Sequence, residues 1–224
     1  MISKSSAHWS IFEKVRVVLD RYKDCASGTL LDIGCGTKPF QEVFEGKVRH
    51  YLGVDIPSKI KRGNLRERAE TIDIYGDCLN LPVRASSVDT VFCSFVIEHI
   101  FEYDQLMDEA WRVLKKGAHL YLVSPLLVAI HETPYDFFRF TEHSLKRIAE
   151  KHEFETLHIV PAGGEFLFWG NRIAAHIHKI HRVPVTRRVV EGISYLVQRL
   201  SLCLDNKTGE NSFICNYLCV FRKK

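Results

Sequence analysis

The stretch Leu31-Asp32-Ile33-Gly34-Cys35-Gly36-Thr37-Lys38-Pro39 decides the fold. It continues a run of β-forming residues that starts at Thr29, then breaks into two glycines one residue apart, and so predicts a strand turning into a helix. Gly34 and Gly36 allow a sharp backbone turn and a close approach of a ligand to the main chain. Pro39 then suits the first position of a helix. Further on, His50-Tyr51-Leu52-Gly53-Val54-Asp55 predicts a second strand ending in a carboxylate that can accept from both hydroxyls of a ribose. A dinucleotide loop would place a third glycine where Pro39 stands. The turn therefore suits a nucleoside cofactor without a pyrophosphate and argues against a nicotinamide dinucleotide.

Outward from this turn, short apolar runs alternate with helical periodicity, the pattern of a parallel α/β sheet. Residues 8–24 predict an opening helix with Ile11, Phe12, Val15, Val18 and Leu19 on one face. Strands are expected at 71–75, 88–94, 118–124, 154–160 and 213–221, with helices at 103–114 and 141–152, the latter capped by Thr141. A single domain is expected, with a core over about residues 8–160 and 212–224. A helical insert, broken near Pro184, fills about 161–211.

The chain has 224 residues, 46% hydrophobic and 26% charged, enough for one sizeable core. Its net charge of +4 falls short of a dedicated nucleic-acid binder, and no nucleic-acid module is visible. Seven cysteines are scattered without a C-x-x-C pair, which points to a reducing compartment and a cytoplasmic protein. No apolar run of signal-peptide type opens the sequence, and the apolar stretch Leu120 to Ile130 is too short to span a bilayer.

With these blocks in place, the chain resembles the class I S-adenosylmethionine-dependent methyltransferases. The matching residues are Leu31-Asp32-Ile33-Gly34-Cys35-Gly36, Gly53-Val54-Asp55, Gly76-Asp77-Cys78-Leu79-Asn80-Leu81-Pro82 and Val88-Asp89-Thr90-Val91, followed by Glu98-His99 and Trp111-Arg112-Val113-Leu114-Lys115-Lys116-Gly117. The resemblance implies a Rossmann-like α/β fold, a seven-stranded mostly parallel sheet with helices on both faces and an antiparallel last strand. It implies S-adenosylmethionine as cofactor and S-adenosylhomocysteine as product. Gly34, Cys35 and Gly36 would line the methionine and ribose, Asp32 would order the turn and receive the ammonium, and Asp55 would hold the ribose. Asp77 and the Cys78 amide would face the adenine, and Ser94 and Phe95 would border the methyl group. Glu98 and His99 are read as the start of a helix, where an acidic residue is stabilising, with contact between His99 and cofactor or substrate as the alternative.

The run His131-Glu132-Thr133-Pro134-Tyr135-Asp136-Phe137-Phe138-Arg139-Phe140-Thr141 is dense in polar and aromatic residues at the carboxyl edge of the sheet. It resembles a P-x-D-F-F-R-F-T segment of methyltransferase type 11-like bacterial members that act on glycans or other small polar substrates. His131 and Asp136 are candidate bases for an acceptor hydroxyl, with Arg139 as an anion clamp. An Asp136–Arg139 ion pair stapling the loop is the competing reading.

The insert carries Phe166, Phe168 and Trp169 among many basic residues, which suits a lid over an acidic substrate or peripheral contact with an anionic membrane through 166–204. Its His176-Ile177-His178-Lys179-Ile180-His181 run lacks a completing carboxylate or cysteine, so no metal is expected. O-methylation of a small-molecule or glycan acceptor is the leading expectation. Lipid, quinone, RNA or protein acceptors stay open, as does an inactive cofactor-binding partner subunit.

Overall fold

A computed structural model describes residues 3–4, 6–56, 71–180, 187–208 and 213–224. Its strands are β1 (Thr29–Ile33), β2 (His50–Asp55), β3 (Ile74–Tyr75), β4 (Val88–Ser94), β5 (Leu114–Pro125), β6 (Phe154–Pro161) and β7 (Asn216–Lys223). They form one sheet in the order β3-β2-β1-β4-β5-β7-β6. The pairs from β3 to β5 are parallel, and β7 runs antiparallel to both β5 and β6. This is the seven-stranded, mostly parallel α/β sheet expected from the sequence.

The central strands read as near-continuous apolar runs because both of their faces are covered. Leu31 and Ile33 of β1 point into one core, beneath α2 (Tyr103–Val113) and α3 (Glu142–Lys151). Leu30 points into the other, beneath α1 (Trp9–Tyr22), where Phe40, Phe44 and Phe92 are buried. Thr141 caps α3 as expected, its side chain accepting from the Ser144 amide. The strand order reverses direction at β1 and β4, which opens a crevice beyond their carboxyl ends.

Three local expectations need correction. After the glycine turn, the segment beyond Pro39 forms only the short 3₁₀ turn Gln41–Phe44 rather than an α-helix. Lys38 lies in the left-handed region (φ 52°), and Phe44 is anchored edge-on against Phe92 and Tyr121 at 5.3 and 5.7 Å. Aromatic burial, rather than helical hydrogen bonding, ties this connection down. Likewise Ile97–His99 is a 3₁₀ turn, and α2 begins only at Tyr103. Strand β3 is also shorter than predicted, because the Asp73 carboxylate accepts the Gly53 amide at 2.6 Å just before it.

Between β6 and β7 stand two long helices, α4 (Glu165–Ile180) and α5 (Arg187–Thr208); Pro184, the expected break, lies outside the described residues. Their close approach needs Gly170, since a Cβ there would stand 2.3 Å from the Ser201 side chain. The pair is bolted to α1 through buried polar groups. Gln198 accepts the Ser10 amide at 2.9 Å, Asp205 pairs with Lys14 at 2.9 Å, and Trp9 packs on Tyr195. Among the described residues, no helix is long and apolar enough to cross a membrane.

Candidate active site

The crevice beyond β1 and β4 holds a cavity of about 500 Å³, a size ordinary for small-molecule sites. Ile33, Gly34, Val54, Asp55, Ile56, Gly76, Asp77 and Cys78 form one wall; Val96, His99, Ile100, Glu132, Thr133 and Tyr135 form the other.

The first wall is made from strand ends and tight turns. Gly34 has φ +69°, and a Cβ there would stand 2.4 Å from Val96 Cγ2, so only glycine fits this turn. The Gly34 and Cys35 amides both donate to the Val54 carbonyl, which fastens the turn to β2. Asp55 ends β2 with its carboxylate half-committed, Oδ2 accepting the Gly36 amide at 3.0 Å and Oδ1 the Ile56 amide at 2.8 Å. Each oxygen keeps a second lone pair for a ligand hydroxyl. Asp77 closes a small turn, accepting the Leu79 amide at 2.9 Å, and presents its edge to the same space.

Behind this wall Asp32 is buried and accepts from the Tyr51 hydroxyl at 2.7 Å, while its other oxygen has no hydrogen-bond partner. Burial pushes its carboxyl up to about 7, with nearby Asp55 adding to the rise against the Tyr51 bond and Lys38. The same charge surroundings and burial raise the Cys35 thiol to about 12, so it is an inert packing group.

Of the residues expected at the cofactor, Gly34, Asp55, Asp77 and Cys78 line the cavity, whereas Asp32, Cys35 and Gly36 stand just behind it. Ser94 and Phe95 are not in its lining. Phe95, at φ 56°, turns its ring onto Phe12 of α1 at 5.5 Å.

The second wall comes from the 3₁₀ turn after β4 and from the loop after β5. The Phe137 and Phe138 amides donate to the Glu98 carbonyl at 2.9 and 3.2 Å, pinning the loop to the turn. His99 Nδ1 bonds the Tyr135 carbonyl at 2.7 Å. Asp136 is gripped by Arg139 in a two-pronged pair of 2.6 and 2.7 Å and also accepts the His131 amide. The Arg139 bond holds its carboxyl down at about 2. Asp136 and Arg139 thus form the loop staple, and neither lines the cavity; His131 stands behind His99, ring centroids 4.8 Å apart.

Sequence reading passed over Glu132, Thr133 and Tyr135 as wall residues, and it gave Glu98 only a helix-start role. Glu98 is fully buried with both carboxylate oxygens unbonded, and burial pushes it up to about 8. The signal was its place directly before His99 at the tip of a central strand. The insert contributes no described residue to the cavity. On it, His176 bonds the Arg172 carbonyl and His178 the Ser194 hydroxyl, while His181 lies outside the described residues.

The donor set of the first wall suits S-adenosylmethionine. It offers two carboxylates for ribose and adenine, a glycine turn open to close approach, and an orphaned buried carboxylate oxygen beside it.

Sheet order, glycine turn and carboxylate-ended second strand together define a Rossmann-like α/β fold of the kind that methyltransferases share. Residues 31–122 match the family model for the methyltransferase domain. The chain is 28% identical over 144 residues to a probable S-adenosylmethionine-dependent methyltransferase of Mycolicibacterium smegmatis, covering 62% of this chain and 56% of that protein. It is 27% identical over 151 residues to a demethylmenaquinone methyltransferase of Porphyromonas gingivalis, covering 63% and 56%. The chain thus spans a little over half the length of these relatives. A solved S-adenosylmethionine-dependent methyltransferase from Archaeoglobus fulgidus shares the fold, with TM-score 0.59, 19% identity and coverage of 95% of this chain and 94% of that one. Over nearly two-thirds of its length the chain is thus similar to S-adenosylmethionine-dependent methyltransferases, and it shares their fold throughout.

Proposed function

We propose that the protein methylates a hydroxyl oxygen of a small polar or glycan-type acceptor. The observation that carries this reading is one continuous cavity whose first wall suits the cofactor and whose second wall offers His99, Glu132 and Thr133 to a polar acceptor. S-adenosylmethionine, when bound, supplies a methyl group on a sulfonium, open to in-line displacement. The chain's own residues position the two reactants and keep water out, the main source of acceleration for such a transfer. Asp55 and Asp77 fix the nucleoside, and the Gly34 turn lets the cofactor lie against the main chain. Removal of the acceptor's proton falls to the wall of His99 and Glu132. Asp136 is too acidic and too firmly paired to take it.

A second reading, a planar ring acceptor such as a quinol, is favoured by exposed aromatics at the same edge. Phe101 is 63% exposed, Phe137 is 41% exposed, and their rings meet edge-on at 5.5 Å. The demethylmenaquinone methyltransferase among the relatives points the same way. Transfer of labelled methyl groups from S-adenosylmethionine to sugars, nucleotide sugars, quinols, lipids, RNA and peptides separates the readings. Label on sugar hydroxyls supports the first and label on quinols the second. Label on RNA or peptides alone, or cofactor binding without transfer to any of them, overturns both.

A further inference from the structure

We propose that Glu98, His99 and His131 form a binding site for a borderline divalent cation of the zinc type at the acceptor wall of the cavity. Each residue offers one donor atom, and the three atoms lie within 4.8 Å of one another. Two imidazoles and a carboxylate are a ligand set that zinc and its neighbours favour. Around a tetrahedral ion with bonds of 2.0–2.1 Å, donors stand about 3.3 Å apart. His99 Nε2 and Glu98 Oε1 are already at 3.7 Å. The His131 ring, partly exposed on the loop, stands beside that of His99 with centroids 4.8 Å apart.

Three further features fit an ion. The Glu98 side chain is fully buried with neither oxygen hydrogen-bonded, a state that costs free energy unless protonation or a cation compensates it. Arg139 does not hydrogen-bond it, because its guanidinium is directed to Asp136 and the Phe138 carbonyl. Both imidazoles also carry an outer hydrogen bond of the kind that orients metal-binding histidines. His99 Nδ1 bonds the Tyr135 carbonyl at 2.7 Å, and His131 Nδ1 bonds the Ala129 carbonyl at 3.1 Å, with Asp136 Oδ2 at 3.5 Å. Donation from Nδ1 to those carbonyls makes Nε2 the unprotonated nitrogen of each ring, the tautomer in which an imidazole ligates a metal.

His99 belongs to the cavity wall, so an ion held there borders the space assigned to the acceptor. Its role in polarising an acceptor hydroxyl, with Glu132 left to take the proton, rests on the proposed methyl transfer; the existence of the site does not.

The test uses full-length protein stripped with a chelator, titrated with Zn²⁺ by calorimetry and with Co²⁺ by visible absorption. One equivalent of each ion should bind, Co²⁺ with a ligand-field band. Glu98→Gln and His131→Ala should each weaken Zn²⁺ binding at least tenfold and remove that band, whereas His176→Ala on α4 should leave both unchanged. Absence of saturable binding, or binding untouched by Glu98→Gln and His131→Ala, overturns the proposal. If Glu98→Gln does not fold, His131→Ala on the surface loop decides alone. Calorimetry with S-adenosylmethionine on the stripped protein tests the cofactor reading separately, so failure of one is not mistaken for failure of the other.

Discussion

The two walls of the cavity are built in different ways. The wall assigned to the cofactor is main chain and strand ends, with Gly34 wedged against Val96 and Asp55 fastened by two amides. The acceptor wall is a short 3₁₀ turn and a loop, held by side chains such as the Asp136–Arg139 pair. A common cofactor can be met by a fixed backbone, whereas a particular acceptor is met by side chains on a replaceable loop. Substitutions on one wall should therefore disturb cofactor binding, and substitutions on the other should disturb loop order or acceptor use.

The largest effect should come from Gly34→Val, which places a branched side chain at a positive φ and against Val96. S-adenosylmethionine affinity should fall by roughly a hundredfold, about 2.8 kcal/mol. Near-unchanged affinity in calorimetry would show that the turn is not where the cofactor lies. Next, Asp136→Ala leaves Arg139 without its partner in a mostly buried site and should cost on the order of 2–3 kcal/mol of stability. Turnover should drop as the loop loosens while cofactor affinity stays within about twofold. A parallel loss of cofactor binding would erase the division between the walls. Asp55→Ala should weaken the cofactor about tenfold, near 1.4 kcal/mol, with thermal unfolding as a control on folding.

The pH dependence gives a finer test. The folded-state Asp32 carboxyl titrates near 7, above the value of about 3.9 for an unfolded chain. The folded protein therefore binds the extra proton between these values, and Asp32 makes stability fall as pH rises through that window. Asp32→Asn should flatten this part of the stability profile. Cofactor affinity in the unaltered protein should rise through pH 7 as the carboxylate forms, and a flat profile would remove Asp32 from the cofactor's charge balance. The smallest effect should be at the insert, where Trp169→Ala on exposed α4 should leave cofactor affinity unchanged, since no described residue of that helix reaches the cavity.

The sheet was legible in the sequence because its central strands are doubly buried and so read as unbroken apolar runs. Positions 29–33, 50–55 and 88–94 match the structure residue for residue. Of the residues expected at the cofactor, Gly34, Asp55, Asp77 and Cys78 were legible as cavity lining, since glycine and aspartate at strand ends follow from local backbone needs, whereas Ser94 and Phe95 fall outside it. The helix after Pro39 was misread because burial of Phe40 and Phe44 is a tertiary effect that proline and spacing do not announce. For Asp136 and Arg139 the sequence supplied both readings, and only their geometry separates a base from a staple. Glu98 was hidden for a related reason. An acidic residue opening a helical turn has an ordinary exposed role, and its complete burial depends on a loop more than thirty residues downstream, where the Phe137 and Phe138 amides close over its carbonyl.

The placement of β7 has a consequence for how the chain acquires its shape. This strand is the last of the described elements, yet it lies between β5 and β6 and supplies both with their pairing partner. Until it arrives, β5 presents a row of unpaired amides and carbonyls, and β6 has no partner strand. Both long helices must be threaded past before the gap is filled, so assembly depends on contacts distant in sequence and should be slow. A chain caught before that step carries an open edge of the kind that invites a neighbour's strand, which makes prompt insertion of β7 the step on which solubility during synthesis depends.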